Sequence, residues 1–158
     1  MKQFKIVILA VTLITTAITT SNAQKLSSDK VPAAVTSAFK SRFPAVTKVS
    51  WEMEDAKEYE ANFKQNGEEA SASFDLKGVW METEMEMENS DLPASIKTTL
   101  DKEFAGYKLK ELNKVENVKD GHVYEAVIEK GEENWEVVFT AAGKVVNKTK
   151  MEEGKDKD

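Results

Sequence analysis

Val31-Pro32-Ala33-Ala34-Val35-Thr36-Ser37-Ala38-Phe39-Lys40-Ser41-Arg42-Phe43 returns 61 positions later as Leu92-Pro93-Ala94-Ser95-Ile96-Lys97-Thr98-Thr99-Leu100-Asp101-Lys102-Glu103-Phe104. In both stretches the apolar residues fall every fourth position: Val31, Val35, Phe39 and Phe43, then Leu92, Ile96, Leu100 and Phe104. Steps of four trace one slowly drifting stripe along a helix. Pro32 and Pro93 stand where a first helical turn tolerates a missing N–H. Each quartet therefore predicts the buried face of one amphipathic helix, and the chain is expected to contain one module twice.

Downstream of each helix the period changes from four to two, the mark of a strand with one buried face. In the first copy the alternating sets are Val49, Trp51, Met53; Tyr59, Ala61, Phe63; Ala70, Ala72, Phe74; and Val79, Met81, Thr83, Met85. The second copy repeats them as Tyr124, Ala126, Ile128 and Trp135, Val137, Phe139, with the offset grown to 65 by a short insertion. Tyr107 to Val118 reads as a bulged strand or a strand with a long loop. Asn66-Gly67, Asp120-Gly121 and Lys130-Gly131 supply turn chemistry, as do Gly78 and Gly143, where a tight hairpin needs positive φ. The expected fold is α+β: two tandem repeats, each one helix packed on a four-stranded antiparallel sheet, over residues 24–90 and 91–151.

The N-terminus carries a basic start, Lys2 and Lys5, then an apolar run from Ile6 to Thr20 and the small-residue site Ser21-Asn22-Ala23. That is the layout of an export signal, and the run is short for a span of about 20 apolar residues. Cleavage after Ala23 is expected, leaving a mature chain that starts at Gln24 and ends in a charged tail over 152–158. The chain has no cysteine, so neither a disulfide nor a thiol-linked lipid holds the exported protein. Loss of Lys2 and Lys5 moves the formal charge from −6 to −8. An acidic chain without a basic stripe argues against a nucleic-acid partner.

Catalytic chemistry finds little support in the residues. The single histidine, His122, sits at a turn beside Gly121, and a nucleophile needs a base next to it. Carboxylates are abundant, but most alternate with apolar residues and read as a solvated strand face. No glycine-rich phosphate loop, zinc-ligand spacing or calcium loop is present. The reading is of no enzyme, no catalytic residue, no metal and no cofactor.

The sharpest local feature is Trp80-Met81-Glu82-Thr83-Glu84-Met85-Glu86-Met87-Glu88. Strand alternation puts the methionines on one face, and Trp80, Glu82, Glu84 and Glu86 on the other with Glu58, Glu60, Asn62, Ser71 and Ser73. Trp80, Glu82, Glu84 and Glu86 are the candidate binding residues, for a basic protein or a cation. Alternatively, the acids protect a sheet edge or pair with Lys144, Lys148 and Lys150 of the second copy. Alternating methionines suit soft copper(I), although filling a core is their ordinary use.

The Val/Leu-Pro-Ala helix starts, Phe43 and Phe104, Trp51, the Tyr-Glu-Ala strands and the hairpins Phe74 to Gly78 and Phe139 to Gly143 resemble a known family. It is that of the PepSY-like, beta-lactamase-inhibitor-like (BLIP-like) secreted proteins of Gram-negative bacteria, and the likeness runs from Lys30 to about Met151. The resemblance implies a periplasmic protein whose two sheets can run together; in the inhibitor that names the fold, the open sheet face grips another protein. A non-enzymatic binding or inhibitory module follows as the expected function. The alternative is a small-ligand or cation binder using the acidic strand Glu82 to Glu88. Leu112 stands near where Trp51 sits in the first copy, so the two copies do not present the same surface.

Overall fold

Each proline of the repeated motif immediately precedes its helix, α1 (Ala33–Arg42) and α2 (Ala94–Glu103), and each helix follows a single 3-10 turn. Both helices stop the same way, with the N–H of Phe43 donating to the Phe39 carbonyl and that of Phe104 to the Leu100 carbonyl. The computed structural model describes residues 24–54 and 57–151. The export signal expected over 1–23 and the tail over 152–158 lie outside the described residues.

The strands are β1 (Gln24–Leu26), β2 (Val49–Glu54), β3 (Glu58–Gln65), β4 (Glu68–Asp75), β5 (Trp80–Glu86), β6 (Lys108–Asn117), β7 (Gly121–Lys130), β8 (Glu133–Phe139) and β9 (Val145–Met151). They form one antiparallel sheet of nine in sequence order. The expected layout of one four-stranded sheet per repeat is thereby corrected to a single sheet, in which the two repeats run together. β5 pairs with β6 from Glu82 opposite Asn117 to Glu86 opposite Asn113, and β1 adds an edge strand beside β2 that periodicity did not reveal in three residues. The seam is extended by Met87 N–H to the Leu112 carbonyl (2.9 Å) and Val118 N–H to the Met81 carbonyl (3.2 Å). Tyr107 to Val118 resolves as a bulged strand, with the register shift between Leu109 and Glu111.

Both helices lie on one face of this sheet. Under α1, Val35 and Phe39 meet Trp51, Ala61, Phe63, Ala72 and Phe74. Phe39 is the hub, with ring centroids 5.2 Å from Phe43, 5.4 Å from Trp51 and 5.2 Å from Phe63. Beneath α2, Ile96 and Phe104 meet Leu112, Ala126, Ile128, Val137 and Phe139. Trp51 opposes Ala61 and Leu112 opposes Ala126, so Leu112 does occupy the Trp51 position of its repeat. Rings dominate the first core and aliphatic side chains the second.

Two hairpins fasten the sheet to the helices. Gly78 has φ +83°, and a Cβ there would lie 2.8 Å from the Ala34 carbonyl in the first turn of α1. Gly143 repeats the arrangement at φ +80°, 2.5 Å from the Ser95 carbonyl of α2. Ser95 Oγ donates to the Ala141 carbonyl (2.6 Å) and Thr99 Oγ1 to the Gly143 carbonyl (2.7 Å). Gly67 also has positive φ but nothing within 4 Å of a Cβ. Gly67→Ala should therefore lose only the left-handed penalty of about 1–2 kcal/mol. Gly78→Ala and Gly143→Ala should lose visibly more in denaturant titrations, because the added methyl meets helix backbone.

Candidate functional site

Strand alternation that turns Tyr59, Ala72, Leu112 and Val137 toward the helices turns a second set the other way. Following the register, one row runs Asn62, Ser71, Glu84, Val115, Val123 and a neighbouring one Glu86, Asn113, Glu125, Val138, Asn147. Val115, Val123 and Val138 are buried there and form a cluster of their own. No helix among the described residues covers this face.

The sheet itself supplies the cover by coiling. Glu82 and Glu136 lie three strands and six residues apart in register, which on a flat sheet is about 25 Å. Their carboxylates nonetheless repel one another. Right-handed twist accumulated over the strands accounts for this approach and for the burial of Val115, Val123, Val138 and Glu136 with no helix above them, and we read the helix-free face as concave between β5 and β8.

Four glutamates converge on this hollow. Burial pushes the Glu84 carboxyl up to about 9, with repulsion from Glu125 and Glu82 adding to it. Burial likewise pushes Glu125 up to about 8, assisted by Glu136 and Glu82. Glu136, only 7% exposed, and Glu82 are also raised, in both cases chiefly by burial. A hydrogen bond between Glu84 and Glu82 raises the Glu84 carboxyl further and, with one from Asn117, offsets part of the effect of burial on Glu82. Beside them a cleft of about 380 Å³ is lined by Glu60, Asn62, Ser71, Glu84, Glu86 and Asn113.

Of the residues singled out from the sequence, the structure gathers Glu82, Glu84 and Glu86 on this face, with Glu86 exposed. Trp80 is elsewhere. A register shift makes Phe74 oppose Trp80 while Ser73 opposes Glu82, so the residue between them, Met81, is extra and Trp80 turns to the helix side. There its Nε1 donates to Thr83 Oγ1 (2.9 Å), and the Arg42 guanidinium lies 3.5 Å over its ring. Arg42 also bonds Glu116 of β6 (2.7 Å), which makes Trp80 part of a clamp from α1 across the seam. The bulge therefore corrects the expectation that Trp80 shares the open sheet face with Glu82 and Glu84.

Two other expectations are corrected. The acidic strand is the fifth of nine and paired on both sides, so it is not an edge. Nor does it meet the lysines of β9, the far edge strand, where Lys148 lies 3.9 Å over the Trp135 ring on the helix side. His122 is exposed at its turn. Among the described residues no three acidic or histidine side chains are grouped to hold a metal ion.

Glu125, Glu136 and the three valines were missed because each strand was read for one buried face. Val123-Tyr124-Glu125-Ala126-Val127-Ile128 is apolar on both faces of β7, and a strand covered on both sides reads that way.

A coiled antiparallel sheet with two helices on its outer side defines the class of protein. The family is that described as beta-lactamase-inhibitor-like, PepSY-like, whose model matches residues 17–69 and 57–147; the chain belongs to it. No curated protein sequence matches. The fold is shared with a BLIP-like protein of Bacteroides fragilis, at 21% identity and a TM-score of 0.70, over 80% of this chain and 91% of that one. A DUF2874 family protein of Bacteroides uniformis is similar at 20% identity and TM-score 0.69, over 75% and 88%. A Bacteroides eggerthii protein inferred to be periplasmic is similar at 19% identity and 0.68, over 76% and 88%.

The buried carboxyls make stability fall with rising pH. In the unfolded chain they lose their protons near 4.5, whereas the folded chain keeps those of Glu84 and Glu125 to about 9 and about 8. The folded state binds more protons across this window, so their contribution is full below pH 4.5 and lost as pH rises through 8 and 9. Denaturation midpoints should decline from pH 6 to pH 9.5, and Glu84→Gln with Glu125→Gln should flatten the decline. An unchanged slope would contradict the assignment.

Proposed function

We propose that the mature chain is a periplasmic, non-enzymatic binding or inhibitory module that receives another protein against the concave, helix-free face of its sheet. The observation that carries this reading is the hollow between β5 and β8, where Glu82, Glu84, Glu125 and Glu136 stand around a valine floor with no helix over them. Membership in a beta-lactamase-inhibitor-like family and a fold shared with a BLIP-like protein support a binding or inhibitory module over an enzyme. Likeness to a protein inferred to be periplasmic supports the compartment, as does the export signal read in residues 1–23.

Charge selects the partner. A Lys- or Arg-bearing protrusion entering the hollow would draw the protons off Glu84 and Glu125 and pair with the carboxylates so formed. Capture would then release protons and weaken with salt. The small-ligand or cation alternative draws on the acidic cleft bordered by Glu84 and Glu86. Cross-linking in periplasmic extract at low salt should yield a partner with wild-type bait and lose it with Glu82→Gln, Glu84→Gln, Glu125→Gln combined. Equal capture by both baits would contradict the site, and a melting temperature raised by a single added cation would favour the alternative.

A further inference from the structure

The two repeats share a backbone plan but fill it differently, and the difference leaves a space. In the first repeat, Phe39, Phe43 and Phe63 pack as three rings, the last two 4.6 Å apart, and all are at most 8% exposed. The corresponding residues of the second repeat are Leu100, Phe104 and Ile128, so one ring stands where there were three. A cleft of about 440 Å³ opens between α2 and the sheet at this place, lined by Leu92, Leu100, Phe104, Tyr107, Leu109 and Ile128. Leu92, Leu100, Tyr107 and Leu109 remain half-buried, whereas Val31 and Phe39, the counterparts of Leu92 and Leu100, are closed off.

We infer that the second repeat carries a binding cleft for an uncharged aromatic small molecule, seated between α2 and the strands β6 and β7. The first repeat shows which chemistry the position takes, since aromatic rings of the chain itself fill it there. Size agrees, because small-molecule sites run to several hundred Å³, and about half of this wall is apolar, the rest coming from groups such as Asn89, Lys97 and Asp101. The charged lining residues, Lys97 and Asp101, are one of each sign, and the cleft offers no net charge to a charged ligand. Tyr107 keeps its ring in the wall because its hydroxyl is held outside, donating to Glu133 Oε2 (2.7 Å). The fold does not demand the opening, as the same plan closes over rings in the first repeat, and an unfilled apolar space lowers stability. This site lies on the helix side of the sheet and is independent of the hollow on the other face.

The test uses N-phenyl-1-naphthylamine, an uncharged aromatic whose fluorescence rises in apolar surroundings, with the mature protein. Wild type should give a saturable rise. Leu100→Phe with Ile128→Phe, which restores the residues of the first repeat, should weaken binding by about tenfold or more, equal to about 1.4 kcal/mol, with the melting temperature held or raised. No saturable rise, or equal binding by both proteins, would overturn the inference. If the double variant does not fold, amide shifts of wild type on titration with the probe decide. Shifts gathered at 92–109 and at Ile128 support the cleft, and shifts gathered at Glu82, Glu84 and Glu125 overturn it in favour of binding in the hollow.

Discussion

The pairing of β5 with β6 is the contact on which the rest of the molecule depends. Without it each repeat would be a helix on a small sheet with an exposed strand at the break, and sheets of that size are marginal and prone to pair edge to edge. With it, the remaining edges are the three residues of β1 and the lysine-bearing β9. Arg42 braces the joint from the helix side, stacked on Trp80 of β5 and bonded to Glu116 of β6. That brace exists once, where the two repeats meet.

Continuity across the seam also produces the concavity. Twist accumulates strand by strand, and only a sheet that runs unbroken from β5 to β8 brings Glu82 within reach of Glu136. The curvature buries Val115, Val123 and Val138 without any helix above them and removes water from the glutamates among them. A carboxyl deprived of water holds its proton, so a face that counts as strongly negative by composition is partly neutral when folded. Ionising the central pair takes either a pH above about 8 and 9 or a cation brought close to it.

The helices, the buried stripes of β2, β3, β4, β7 and β8 and the glycine hairpins were legible in the sequence, since each rests on local spacing that tertiary structure reinforced; the stripe expected for β5 was not, as Val79 is exposed. Phe39 falls where the four-residue spacing put it, and Ala61 and Phe139 where alternation did. Trp80 did not, for one extra residue in β5 reverses every side chain before it, and Trp80-Met81-Glu82 carries no glycine to mark a bulge. The hollow was half legible. Glu82 and Glu84 were singled out, but a glutamate alternating with apolar residues looks the same whether its face meets water or curls into a trough. Deciding between these required the path of the strands β6 to β8. The cleft beside α2 was also written in the repeat comparison, as Leu100 and Ile128 in place of Phe39 and Phe63, yet its opening depends on how neighbouring side chains settle.

Native-state hydrogen exchange at the seam tests the central claim, that one sheet runs through both repeats. The amides paired between β5 and β6, from Glu82 to Glu86 and from Asn113 to Asn117, should exchange only through global unfolding, as slowly as those in the middle of β3 and β8. Exchange at the seam through a lower-energy opening, with β3 and β8 still protected, would mean two modules joined by a hinge. The coiled hollow would then lose its physical basis.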